Sequence, residues 1–358
     1  DPGTLPSYIG YTLLGIGMFW SLFSRRHRFN DLAQKAKKAS DAKLASLLFA
    51  LAIAVGFTTP SHAQAVDPSI KTILSFDKEH AKAFGRLIVQ DTAGRMKPMD
   101  TLATEILSKV YGKDSLQVGS TSLTPNQVVL GMMIAPGSYK NIKMIKTKNE
   151  DVNKILGAKL DAKYVSFSQF FEDPDSMRGY KLAQHIESAI RKEAKYRDKF
   201  DKALIKIDER VNVSFMVFTG QLIKIWPKPG DENNSWLPTI EALQTFAPED
   251  GERVRVTAVD YFTSIDEALA TGNWEQPTKA LSVIDKHQRE YGAEVYPTDS
   301  RIQAEVFYNE TKIFERSYPL YLLMGFILLI LSFIKILKPG FTMEFATKAS
   351  LWFLILLF

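Results

Sequence analysis

The residues that could do chemistry here are few. The chain has 358 residues, five histidines (His27, His62, His80, His185 and His287) and no cysteine. Disulfides, Cys-ligated metal centres and a thioether haem attachment through the chain's own C-x-x-C-H are therefore excluded. His27 sits in a basic run. His80, His185 and His287 fall in charged helical stretches, where a solvated imidazole is the expectation. His62 follows an apolar segment, a place where an axial imidazole could reach a haem. No G-x-S-x-G, H-E-x-x-H, Walker A or kinase signature occurs. Glu249-Asp250-Gly251-Glu252 reads as an acidic turn without EF-hand spacing. The stretch from Trp226 to Trp236, rich in Pro, Gly and Asn, reads as an exposed loop that binds a partner or is stapled down by its two indoles. No catalytic constellation emerges, so the function must be sought in the elements that carry these residues.

A mean hydropathy of −0.10 conceals very apolar segments flanking a polar middle. Tyr8 to Phe23 is closed by Ser24-Arg25-Arg26-His27-Arg28. Leu44 to Phe57 leads to Ala63-Gln64-Ala65, which resembles a signal-peptide cleavage site. A segment upstream already has the character of a span, which favours an internal membrane helix. Leu320 to Leu337 is the cleanest span, with Pro319 expected in the first helical turn and Tyr318, Tyr321, Lys335 and Lys338 as interface anchors. A fourth apolar run starts near Phe345 and reaches Phe358, so the chain reads as an internal fragment.

Charge orients these segments. Residues 25–43 carry seven Lys/Arg against Asp31 and Asp41, whereas residues 66–317 hold 35 Lys/Arg against 36 Asp/Glu. The overall net charge of +5 is thus a topology signal and not a nucleic-acid signal. The expected organisation is a span at 1–24, a basic cytoplasmic loop at 25–43 and a signal-like span at 44–65. A periplasmic domain at 66–317, a span at 318–338, and a turn with the start of another span at 339–358 follow. The fold class is mainly α: multi-pass transmembrane helices plus a large, mostly helical extracytoplasmic domain with a few short strands. The expected location is the bacterial inner membrane.

Within the domain, a short helix at 77–86 and a strand at 87–90 lead through a turn at 92–95 to a helix for which Asp100 is the expected N-cap. Thr124-Pro125-Asn126-Gln127 has capping-box spacing with Pro at the first helical position. Apolar residues from Leu182 to Phe215 at threes and fours predict one long helix over 176–223. Helices are also expected at 237–247, 252–271, 277–291 and 300–315.

Two stretches resemble a known family. One runs Leu87-Ile88-Val89-Gln90-Asp91 through Gly94-Arg95-Met96-Lys97-Pro98-Met99-Asp100-Thr101-Leu102-Ala103, with Ser122 to Met132 following. The other is Phe307-Tyr308-Asn309-Glu310 with Ile313 to Gly325. They resemble the outer domain and following span of the System II cytochrome c synthase, the CcsB (ResB-like) half of the fused CcsBA protein. The resemblance implies a haem exporter and cytochrome c haem lyase whose cofactor is haem b. Its partners would be apocytochrome c, presenting a C-x-x-C-H segment, the lipid bilayer, and the remaining CcsA and N-terminal spans. The family's Trp-rich haem segment is absent here, so haem ligands are expected outside this chain and no catalytic residue is assigned. Arg95, Lys97, Pro98, Asp100 and Thr101 are expected to help shape a groove for the apocytochrome, because holding an extended peptide replaces a bimolecular search. The alternative is a membrane receptor with a helical sensor domain, for which the long helix would suit.

Overall fold

The computed structural model describes residues 68–337 together with 344, 348–350 and 352–353, all within the unit Val66–Phe358. The apolar segments expected at 8–23 and 44–57, and with them His27 and His62, lie outside the described residues, as does most of the run after Phe345. The described residues are mainly helical, with five two-stranded antiparallel sheets.

Local chemistry explains the opening elements. After α1 (Pro68–Leu74), Asp77 accepts a hydrogen bond from the His80 amide and caps α2 (Lys78–Phe84). Strands β1 (Ile88–Gln90) and β2 (Met96–Pro98) form a hairpin with Ile88 opposite Pro98. The hairpin runs directly into α3 (Met99–Val110), whose Leu102, Ala103, Ile106, Leu107 and Val110 form the buried face. Strands β3 (Leu116–Val118) and β4 (Thr121–Leu123) precede α4 (Pro125–Ile134), where Thr124 and Gln127 make the capping box and Pro125 is the first helical residue. The short α5 (Pro136–Tyr139) leads to β5 (Lys143–Lys146), α6 (Glu150–Ile155) and β6 (Tyr164–Ser166), with β5 and β6 paired. A third hairpin follows, β7 (Phe171–Asp173) with β8 (Arg178–Tyr180).

The long helix expected over 176–223 is two helices, α7 (Ala183–Arg191) and α8 (Lys199–Phe218). Asp198 and Asp201 form a capping box that starts α8 afresh, and Arg197 donates to the carbonyls of Ala189, Ile190 and Lys192. These contacts satisfy the last turn of α7, so α7 and α8 fold into a helical hairpin around Leu182, Ala189, Leu204 and Ile207. Periodicity alone could not see this, because the same apolar stripe serves one long helix or two packed ones.

The Trp226–Trp236 stretch is stapled down by its two indoles, the second of the two readings its sequence offers, and is not exposed at its ends. It is a hairpin, β9 (Trp226–Pro227) with β10 (Trp236–Leu237), and both indoles are buried. Helix α9 (Thr239–Thr245) is followed by α10 (Pro248–Thr271), which absorbs Glu249 to Glu252 into its first turn, where acids suit the positive end of the helix dipole. That stretch is therefore helix, not a turn. Helix α10 packs along α11 (Glu275–Tyr291). Gln288, fully buried on α11, donates to the carbonyls of Ile88 and Ile225 and accepts from the Ile88 amide. Its side-chain amide thus completes the open edge of β1 and ties it to α11. Last come α12 (Asp299–Thr311) and α13 (Ile313–Leu337), separated by Lys312 in the left-handed conformation at φ 49°. Helix α13 starts seven residues before Leu320, so Pro319 lies inside it and not in its first turn. Among the described residues it is the one helix long and apolar enough to cross a membrane.

Candidate functional site

The two stretches that carry the family resemblance meet in space at Asp100. This residue does not cap α3: the helix starts at Met99 after Pro98, and Asp100 is buried within the first turn. Asn126 of α4 donates through Nδ2 to its Oδ1 at 2.7 Å, and Asn309 of α12 donates through Nδ2 to its Oδ2 at 3.0 Å. Asn309 also donates to Thr101 Oγ1 at 2.9 Å, and Thr101 in turn donates to Glu305 Oε1 at 2.9 Å. One carboxylate therefore links three helices that are far apart in sequence. Burial raises the Asp100 pKa, and the two amide donors oppose that rise without cancelling it. Gly85 makes room for the arrangement: a Cβ there would stand 2.5 Å from Asn126 Nδ2. The second oxygen in reach, Asn126 Oδ1, is buried with no hydrogen-bond partner among the described residues.

The other residues singled out in the sequence take different positions. Arg95 is exposed at the β1–β2 turn and donates to Glu305 Oε1 at 2.7 Å. Lys97 is buried, with its ammonium 2.6 Å from Glu105 and 3.7 Å from Asp91. Pro98 is buried at the end of β2, and Thr101 is partly buried in the relay to Glu305. Of these five, Asp100 lines a cavity, of about 380 Å³, shared with Thr124, Asn126, Asn309 and Lys312. A larger cavity of about 590 Å³ lies between α2, α11 and α12, with Leu87, Leu281, Ile302 and Val306 among its walls. The Lys82–Glu310 ion pair, at 2.8 Å, borders both. The sequence offers no direct sign of Asn126 and Asn309 as partners of Asp100, or of Glu305 as the acceptor for Thr101 and Arg95. The available signal was two asparagines inside the quoted stretches, in helices where asparagine is a poor interior residue without a partner.

The histidines also depart from expectation. His80 is buried, not solvated. Its Nδ1 lies 3.0 Å from Thr278 Oγ1 and its Nε2 3.1 Å from the Tyr261 hydroxyl, while its ring centroid lies 5.0 Å from that of Trp274. Thr278 spends its own proton on the Trp274 carbonyl, at 2.8 Å. The Nδ1 proton must therefore point at Thr278, leaving Nε2 to accept from Tyr261. Burial holds this neutral imidazole down to about 4. His287 is buried too, between Trp226 and Tyr291, with Nε2 unpartnered among the described residues and its pKa lowered by burial and by Arg253. His185 is exposed. Among the described residues no cluster of His, Asp and Glu is arranged to hold a metal.

What these observations define is a helical domain built around a buried polar junction, followed by one apolar helix of membrane-spanning length. The chain is 32% identical over 336 residues, 93% of its length, to Protein NrfI of Wolinella succinogenes, and spans 35% of that protein. No family model matches the chain. This corrects the identification with the CcsBA fusion synthase: the curated relative that aligns along nearly the whole chain is NrfI. Within the stretches that carry the resemblance, Asp100, Thr101, Asn126 and Asn309 are engaged in joining helices.

Proposed function

We propose that the chain is part of a membrane machinery for cytochrome c biogenesis, in which haem is attached to an apocytochrome outside the cytoplasm. The observation that carries this reading is the alignment with NrfI along 93% of the chain. The motif stretches point to the same coarse role, and their convergence on Asp100 gives them a common structural purpose. In this reading α13 crosses the bacterial inner membrane and residues 66–317 stand in the periplasm, consistent with the basic balance of residues 25–43. Haem b is the cargo, and its ligands belong to parts of the machinery beyond residues 68–337. The domain's task is to hold the C-x-x-C-H segment while two thioethers form. The turn and first helical residues from Arg95 to Thr101 shape the neighbouring surface, with Asp100 holding α3, α4 and α12 at fixed spacing. The receptor alternative keeps the domain's attachment at both ends but not its single long helix, which is α7 and α8.

The test is a full-length variant in which residues 68–311 are replaced by a flexible linker, co-expressed with a c-type cytochrome. Membrane haem should be retained while covalent haem on the cytochrome disappears from a haem-stained gel. Normal maturation by that variant would make the domain dispensable and end the proposal.

A further inference from the structure

The segment from Lys140 to Lys163 holds seven lysines against Glu150, Asp151 and Asp161, whereas the rest of residues 66–317 holds 28 Lys/Arg against 33 Asp/Glu. It forms one local unit, β5–α6–β6, closed by the pairing of Lys146 with Tyr164 and by the bond from the Thr147 amide to the Lys163 carbonyl. Its apolar residues, Met144, Ile145, Val152 and Val165, face the core, which leaves lysines at the outward positions. Lys143, Lys148, Lys154, Lys159 and Lys163 are exposed, and none of the seven makes an ion pair among the described residues. Elsewhere in the domain exposed cations commonly have an acid within reach, as at Lys109–Glu209 and Lys279–Glu275. The seven lysines outnumber the three exposed acids of the unit by four, and such an excess is a positive field looking outward.

Its position relative to α13 gives the field a direction. Lys312, the left-handed residue at which α13 begins, pairs with Asp114. Two residues before Asp114, Gly112 has φ 76° and no side chain, and the Lys146 ammonium fills that space, 2.6 Å from where a Cβ would be. Beside it, Tyr111 stacks on Tyr164 with ring centroids 4.5 Å apart, and Lys113 lies over the Tyr111 ring. Arg210 then donates to the carbonyls of both Lys109 and Lys146, locking this turn to β5. A continuous series of contacts thus runs from the head of α13 to the basic unit. Phe307, Phe314 and Tyr318 are exposed around the head of α13, as aromatic residues at a membrane interface are.

We propose that the β5–α6–β6 unit is a lipid-docking surface that rests on anionic phospholipid headgroups of the leaflet from which α13 emerges. This rests on the reading of α13 as a membrane span and is independent of the haem-attachment role. The charge fits the partner, and the tether supplies proximity. Screening confines such attraction to about one Debye length, roughly 8 Å at physiological salt, so only a surface held against the membrane would use it. Docking would fix the tilt of the domain over the bilayer.

The chain has no cysteine, so single labelled sites are unambiguous. The full chain, with a fluorophore at Leu160→Cys in the α6–β6 connection, is reconstituted into nanodiscs containing headgroup-nitroxide lipid. Quenching should be roughly threefold stronger in phosphatidylglycerol-containing discs than in phosphatidylcholine discs, and should fall to the neutral level at about 0.5 M salt. The variant Lys143→Gln/Lys148→Gln/Lys159→Gln/Lys163→Gln should abolish the difference. The charge-matched variant Lys195→Gln/Lys228→Gln/Lys279→Gln/Lys286→Gln should keep it. Equal quenching in the two lipids, or the same loss in both variants, overturns the proposal, as does the absence of quenching in either disc while the chain remains folded by circular dichroism. A second label at Phe314→Cys reports the span itself. Quenching there with none at residue 160 condemns the docking surface alone, and no quenching at either site condemns the span reading with it.

Discussion

Asp100 and His80 are both buried ionisable groups that burial pushes towards the neutral form, yet the domain surrounds them differently. Asp100 is surrounded by amide donors from Asn126 and Asn309, which favour its charged form even though burial disfavours it. His80 is surrounded by two hydroxyls and an indole, which satisfy a neutral imidazole, and burial outweighs the pull of Asp77 towards the charged ring. The first site is a junction that holds three helices through a carboxylate. The second is a piece of core with its polar atoms satisfied. The contrast shows that burial alone does not mark a functional residue: what matters is whether the surroundings complement the charged or the neutral form.

Breaking the Asp100 junction should have the larger effect. Asn126→Leu leaves a buried carboxylate short of a donor and should cost about 3 kcal/mol in chemical denaturation. Adding Asp100→Leu should recover most of that loss, because an absent carboxylate needs no partner. If the double variant is no more stable than the single one, the carboxylate is not what Asn126 serves.

The His80 site should appear in the pH dependence of stability. Its folded pKa lies below the ordinary value of 6.5, at about 4, so the unfolded chain binds the proton more tightly between those values. Stability contributed by neutral His80 is therefore present above pH 6.5 and is lost as the pH falls towards 4. The loss is about 2 to 3 kcal/mol once partial solvent access is allowed for. Asp100 acts with the opposite sign, since its raised pKa means stability declines as pH rises through the range just above 3.8. His80→Gln should flatten the slope between pH 4 and 6.5, and an unchanged slope would assign the titration elsewhere.

Smaller effects sharpen the comparison. Thr124→Ala removes the capping box that positions Asn126 at the head of α4 and should cost about 1 kcal/mol, read as a shift in the denaturation midpoint. Lys82→Met breaks the ion pair with Glu310 at the border of the two cavities. Both side chains are 45% exposed, so the change in stability should stay within about 0.5 kcal/mol. A larger loss would mean that this pair, and not Asp100, holds α12 in place.

By itself the sequence determined what depends on neighbours in the chain. The Asp77 cap, the Thr124–Gln127 capping box, the strand at 88–90 and the apolar character of the last long helix are all set by residues within a few positions of one another. Tertiary structure decided what depends on distant partners. It folded one expected helix into α7 and α8, drew Glu249 to Glu252 into α10, and buried His80, His287 and both hairpin tryptophans. It also took Asp100 from the capping role expected of it and made it the meeting point of α3, α4 and α12. The Asp100 contacts to Asn126 and Asn309 span 26 and 209 residues. Local periodicity carries no record of separations that long, because a polar residue on a helix looks the same whether water or another helix will satisfy it.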